Sequence, residues 1–185
     1  MITYIFLSYL IGTILFAFLI GKLKKVNLQN ENSGNLGARN AGRTLGKWAF
    51  VIVAVGDALK GFLVVLIGRA LAYSEPIIAL AVIAVTLGHL YPFWNKGRGG
   101  KGVATIVGGM LAFSPLYSLV LLATFLVSML ATKSATLSMV ISFVVYGVVV
   151  SIAMPAGLIL SVALLLVLWK QRKSIMERVR PHVLE

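Results

Sequence analysis

The 185-residue chain has no cysteine and little negative charge: five Asp and Glu stand against 17 Lys and Arg, for a formal net charge of +12. Without cysteine there is no disulfide framework, no Cys-based zinc site and no thiol nucleophile. Charged residues of both signs make up only 12% of the chain, against about 25% in an ordinary soluble domain, while 59% of residues are hydrophobic. That apolar excess excludes a soluble enzyme, and uncharged runs such as residues 3–21 identify the second solvent as a bilayer. The basic excess does not point to nucleic acid either. Its charges sit in short segments between apolar runs, as on the cytoplasmic side of a membrane protein, and not on a water-exposed face interleaved with aromatics.

The first apolar run has no basic residue ahead of it and extends over about 19 residues, which reads as a retained span and not a cleaved signal. Lys22, Lys24 and Lys25 follow it and place the amino terminus outside. Further apolar segments fall at 48–67, 76–94, 102–130 and 135–169. The last two are too long for single ordinary spans, and each contains a proline, Pro115 after Ser114 and Pro155 after Met154, where a turn would divide it. Seven helices result. The interior then receives the six Lys and Arg of 22–47, the three of 95–101, Lys133 and the five from Lys170 onward, leaving only Arg69 outside.

At about 1.5 Å rise per residue, 102–113 is too short to cross the hydrocarbon, so a half-helix is expected there. The expected fold is an all-α integral membrane protein: a seven-helix transmembrane bundle including short or half-helices, with the amino terminus outside and the carboxyl terminus cytoplasmic. A single domain over 1–185 is expected. Small residues, Gly56 with Gly61 and Gly108-Gly109 with Ala112, suit close helix packing.

Two interior loops carry chemistry. Residues 32–43 (Asn-Ser-Gly-Asn-Leu-Gly-Ala-Arg-Asn-Ala-Gly-Arg) combine three glycines, three amides, one hydroxyl and two guanidinium groups. Glycines let backbone N–H groups turn toward an anion, and arginine grips phosphate with a planar fork. The competing reading is a polar linker whose arginines touch lipid headgroups. Residues 97–105 (Gly-Arg-Gly-Gly-Lys-Gly-Val-Ala-Thr) run straight into an apolar helix. A glycine-rich turn opening a helix offers N–H groups at the positive end of the dipole, and Lys101 adds a full charge. Gly97-x-Gly99-x-x-Gly102 matches the dinucleotide fingerprint in form only, because no strand precedes it. In the preceding spans, Asp57, Lys60 and His89 are ionisable groups near membrane depth, where a polar partner or a function is the default expectation. Asp57 and Lys60, three apart, are equally suited to neutralising each other. His89 is suited to acting as a base, donating to phosphate, or serving as a capped structural histidine.

Together these segments resemble a known family. Ser33-Gly34-Asn35-x-Gly37-Ala38-x-Asn40 with Arg43, then Asp57-x-Leu59-Lys60-Gly61, then Gly88-His89-x-x-Pro92 with Gly99-Gly100-Lys101-Gly102-Val103-Ala104-Thr105, are similar in order and spacing to the bacterial acyl-phosphate-dependent glycerol-3-phosphate acyltransferases, PlsY. The resemblance implies transfer of a fatty acyl group from acyl phosphate to the 1-hydroxyl of sn-glycerol 3-phosphate, giving lysophosphatidic acid in phospholipid synthesis. It implies a bacterial inner-membrane protein with its active-site loops on the cytoplasmic face. Partners would be the two substrates and membrane lipids, with no cofactor and no metal. Carried over residue by residue, Ser33, Lys101 and His89 would be catalytic. Gly34, Asn35, Gly37, Asn40, Arg43, Lys60, Gly99, Gly100, Gly102 and Thr105 would bind substrate and phosphate.

The chain also departs from the family pattern. Asn32 and Arg39 replace the usual Gly and Thr of the first motif, and the third motif, normally Arg-His-x-x-Asn-Ile, reads Lys170-Gln171-Arg172-Lys173-Ser174-Ile175. The family's following glutamate has two possible counterparts, Glu177 and Glu185. Loss of the motif's His and Asn raises the alternative of a weakened or non-catalytic paralogue that binds a phosphorylated metabolite or an anionic lipid. A small anion transporter fits the basic loops but lacks a series of polar residues through the spans.

Overall fold

The computed structural model describes residues 1–179; Arg180 of the basic tail and Glu185 lie outside the described residues. All regular structure among the described residues is helical, and the chain divides into two compact units, Met1–Phe113 and Ser114–Glu185. Five helical stretches are long and apolar enough to cross a membrane: Ile2–Leu23, Lys47–Ala70, Glu75–Asn95, Pro115–Thr132 and Ala135–Ala153. Val103–Phe113 and Gly157–Lys170 are apolar but shorter.

In the first unit, α1 (Ile2–Thr13) and α2 (Phe16–Leu23) are separated by Ile14 and Leu15, which are both extended. A short polar helix, α3 (Ala38–Leu45), precedes α4 (Lys47–Ala70), α5 (Glu75–Leu90) and α6 (Val103–Phe113). Helix packing rests on glycines, because lipid supplies no hydrophobic drive between helices and close backbone approach must replace it. Where α1 meets α5, a Cβ on Gly12 would strike the Val85 carbonyl, and one on Gly88 the Tyr9 carbonyl. Where α4 meets α6, a Cβ on Gly61 would strike the Thr105 carbonyl, and one on Gly108 the Ala58 carbonyl.

α6 has 11 residues, the short helix expected from the length of 102–113. The Arg69 guanidinium, at the end of α4, donates to its last carbonyl, Phe113 O, at 2.6 Å. This bond satisfies an acceptor that a helix terminus otherwise leaves open, and gives the charge left alone outside by the loop count a partner.

The second unit contains α7 (Pro115–Thr132), α8 (Ala135–Ala153), α9 (Gly157–Lys170) and α10 (Arg172–Val179). Pro115 takes the first position of α7, where its missing N–H costs nothing. α8 ends at Ala153, Met154 is extended, and Pro155 falls in the turn before α9. Hydroxyl pairs tie the helices: Ser114 with Tyr146, and Ser151 with Ser161, each at 2.8 Å. Leu116, Leu119, Leu130, Val148, Ile152 and Leu158 are exposed, an outward apolar surface suited to acyl chains.

Candidate functional site

The break in the first apolar segment is built by the residues around it. Leaving helical geometry at Ile14 and Leu15 frees backbone carbonyls that must find donors at membrane depth. Lys60 of α4 supplies them: its ammonium lies 3.0 Å from Gly12 O and 2.8 Å from Ile14 O. Trp94 Nε1–H donates to Thr13 O at 3.1 Å. The Asp57 carboxylate, one turn before Lys60, accepts from the Phe16 N–H at the start of α2. Asp57 and Lys60 are 2% and 4% exposed, so two opposite charges are buried together in one span.

The same ammonium reaches His89. Lys60 Nζ is 2.6 Å from His89 Nδ1 and 3.0 Å from Asp57 Oδ1. A protonated amine has three hydrogens, and Gly12 O, Ile14 O and His89 Nδ1 use them. Asp57 Oδ1 is left as a counter-ion, a buried oxygen without a directed hydrogen bond.

His89 closes α5, and the glycine-rich loop folds back onto that helix end. Gly99 N–H donates to Leu90 O at 3.2 Å and Gly100 N–H to His89 O at 3.0 Å. The N–H groups of these two glycines are therefore spent on α5. Their lack of a side chain is what the loop uses: a Cβ at Gly100 would collide with the His89 ring at Nε2 and with the Leu36 carbonyl, and one at Gly99 with His89 O. Gly102 has φ +81, a conformation that favours glycine, immediately before α6. The N–H groups of Val103, Ala104 and Thr105 belong to the first turn of α6, which a helix leaves without intrahelical partners. Thr105 is fully buried and its hydroxyl lacks a hydrogen-bond partner among the described residues, while Lys101 is half-buried at the loop's end.

The first loop is folded by Asn40. This side chain is 2% exposed; its Nδ2 donates to Leu28 O at 2.9 Å, and its Oδ1 accepts from both the N–H and the hydroxyl of Ser33, each at 3.3 Å. Asn32 has φ +48, which explains how asparagine stands where the family pattern has glycine, since its short amide tolerates left-handed backbone. Its Nδ2 donates to Thr44 Oγ1 at 3.0 Å. The Asn35 amide lies over Gly37, where a Cβ would strike Nδ2, and Gly34 turns at φ +64. Arg39 and Arg43 are four residues apart, one turn of α3, and both are exposed, as is Ser33 in the loop before them.

Of the expected site residues, His89, Lys60 and Gly100 form one contact cluster, which the Leu36 backbone joins from the first loop. Ser33, Asn40, Asn35 and Gly37 form another. Asp57, Trp94 and the carbonyls of Gly12 and Ile14 complete the first cluster and were not among the expected site residues. An ionisable pair inside a span was the signal for Asp57; nothing local marks Ile14 or Leu15. In the second unit Gln171 is 5% exposed, and its amide donates to Met139 Sδ at 3.2 Å, a weak acceptor. Among the described residues no group of three His, Cys, Asp or Glu is placed to hold a metal ion. A shallow apolar groove lined by Ile14, Leu15, Phe18, Leu19 and Trp94 runs along the broken segment.

Comparison with known proteins agrees with this architecture. The profile of a family described as glycerol-3-phosphate acyltransferase matches residues 2–180. A glycerol-3-phosphate acyltransferase 1 of Bacillus cereus is 46% identical over 125 residues, covering 67% of this chain and 69% of the relative. A glycerol-3-phosphate acyltransferase of Geotalea daltonii is 34% identical over 171 residues, 91% of this chain and 88% of its own. The crystal structure of PlsY (YgiH), an integral membrane glycerol 3-phosphate acyltransferase, superposes in its glycerol 3-phosphate form with a TM-score of 0.89 at 32% identity, over 97% of this chain and 92% of the other. Its lysophosphatidic acid form gives 0.87 at 30% identity, with the same coverage. With the sequence profile and the helical path both shared, the chain belongs to the glycerol-3-phosphate acyltransferase family.

Proposed function

We propose that the chain is a single membrane-embedded acyltransferase domain that transfers a fatty acyl group from acyl phosphate to the 1-hydroxyl of sn-glycerol 3-phosphate. The hydroxyl oxygen attacks the acyl carbonyl carbon, the new ester bond forms, the carbon–oxygen bond to phosphate breaks, and the hydroxyl proton leaves with inorganic phosphate. Acyl phosphate carries a good leaving group, so the work falls to positioning and charge stabilisation. The observation that carries the reading is the joining of two loops at Gly100, where the Leu36 carbonyl and the His89 ring both leave room only for a glycine.

In this reading the first turn of α6, with Lys101, Gly102 and Thr105, holds phosphate, and Gly99 and Gly100 shape the approach. Ser33, Asn35 and Arg43 orient the substrates' polar heads, with Gly34 and Gly37 shaping that loop and Asn40 fixing Ser33. His89 stands at the meeting of the loops, with Lys60 behind it. The acyl chain lies in lipid-facing grooves such as that beside Ile14 and Trp94. Seven helices, among them the short α6, sit in a bacterial inner membrane, with the amino terminus outside and both loops on the cytoplasmic face.

Purified protein given both substrates is expected to release phosphate and lysophosphatidic acid. Ser33→Ala and Lys101→Ala should each lower turnover by about 100-fold or more, the effect of removing one preorganised donor. No product at any substrate level sinks the reading. A second reading, a binding paralogue without turnover, rests on Gln171 and Ser174 at the third motif, where the Gln171 amide is turned to Met139. Calorimetric binding of glycerol 3-phosphate without product supports it, as would activity regained by Gln171→His combined with Ser174→Asn.

A further inference from the structure

We propose that Lys60 is a positioning residue that fills the cation position of the broken first segment and thereby fixes His89 as a hydrogen-bond donor directed at the meeting of the two loops. This rests on the acyltransferase reading only for its kinetic consequence.

Broken helices at membrane depth commonly coordinate a cation with their unwound carbonyls. Here the ligand set is of that type, with Gly12 O and Ile14 O from the break and Asp57 as the anion, but the cation is the chain's own ammonium. Because it is tethered to α4, its remaining proton has a defined direction, and that direction is His89 Nδ1 at 2.6 Å. A lysine ammonium has donors and no acceptor, so Nδ1 must offer its lone pair. The ring proton then resides on Nε2, the atom that a Cβ at Gly100 would strike beside the Leu36 carbonyl.

Asp57 contributes twice: its charge offsets the ammonium that would otherwise be uncompensated in lipid, and its bond from Phe16 N–H anchors the start of α2 on the far side of the break. Lys60 therefore couples the conformation of the first segment to the tautomer of a histidine 29 residues later in the chain. With Nδ1 engaged and Nε2 protonated, neither nitrogen is available to abstract a proton, so His89 works by donating.

The test is nitrogen NMR of the [15N]histidine-labelled full chain in bilayers, in a His182→Gln background that leaves His89 as the one imidazole. The expected spectrum is a neutral ring with an unprotonated Nδ1 and a protonated Nε2, and Lys60→Met should move the proton to Nδ1, which then faces Asp57 Oδ1, 3.5 Å away. A protonated Nδ1 in the chain retaining Lys60, or a spectrum unmoved by Lys60→Met, overturns the assignment. If Lys60→Met does not fold, the first spectrum still decides. In the turnover assay Lys60→Met is expected to lower kcat by about 100-fold, the cost of misplacing a group by about 1 Å, with KM changed much less. A loss confined to KM would overturn the positioning role. The spectrum needs no turnover, so a chain that binds without reacting leaves this assignment intact.

Discussion

Asn40 Oδ1 accepts from both polar hydrogens of Ser33, the backbone N–H and the hydroxyl, across seven residues of chain. One buried amide thus sets both where Ser33 sits and where its hydroxyl lone pairs point. Asn40→Ala is expected to cost about 1–3 kcal/mol, leaving Leu28 O without its donor, and to lower kcat/KM by about 10–100-fold. Asn40→Asp keeps the acceptor for Ser33 but loses the donor to Leu28 O, so it should retain more activity than Ala. Steady-state kinetics on the two variants checks this; equal losses would detach Asn40 from Ser33.

Gly97 and Gly100 belong to one loop and should respond oppositely to alanine. Gly97 has φ +70 but nothing closer than 4.0 Å to the added carbon. Gly97→Ala should therefore carry only the backbone cost of about 1–2 kcal/mol and leave kcat within a few-fold. Gly100→Ala drives a methyl into the His89 ring and the Leu36 carbonyl and should reduce kcat/KM by about 100-fold. Comparable activity in the two variants would contradict the packing described.

Arg69 touches neither loop, and its guanidinium serves the last carbonyl of α6. Arg69→Met should lower the melting temperature in detergent by about 2–4 °C, what about 1 kcal/mol of hydrogen bonding is worth in a chain of this size, with KM for glycerol 3-phosphate unchanged. A shift in KM without a shift in melting temperature would assign Arg69 to the substrate instead.

Topology is open to labelling. With the amino terminus outside, a cysteine at Ala72 should react with a membrane-impermeant maleimide added to intact cells, and one at Ala38 should react only after lysis. The reverse pattern would overturn the interior placement of both loops.

Much of the helix pattern was legible because its signals are local. Pro115 and Pro155 mark interruptions in overlong apolar runs, the lengths of the pieces follow, and the glycines that open α6 announce a helix start. The loops read as anion-binding material from residue types alone, and that role belongs to the proposed function. The break at Ile14-Leu15 was not, because neither residue disfavours helix within an apolar run. The extended geometry there is held from outside, by an ammonium 46 residues away, an indole and a carboxylate. For the same reason sequence spacing made Asp57 and Lys60 an i,i+3 pair but gave no sign that the amine's hydrogens go to other partners. The Gly99 and Gly100 amides read as free donors, yet tertiary folding spends them on the end of α5.

The reliance of the first segment on Lys60 has a consequence for biogenesis. Residues 2–23 leave the ribosome well before α4, and until Lys60 arrives the carbonyls of Gly12 and Ile14 lack the donor they have in the folded protein. At that stage an unbroken helix is the form the bilayer favours. α4 in turn must bring a carboxylate and an ammonium into the membrane together, a load that two charges of opposite sign lighten by travelling one turn apart. The break at Ile14-Leu15 is therefore expected to form late, when the two segments meet, with the first span entering as one continuous helix.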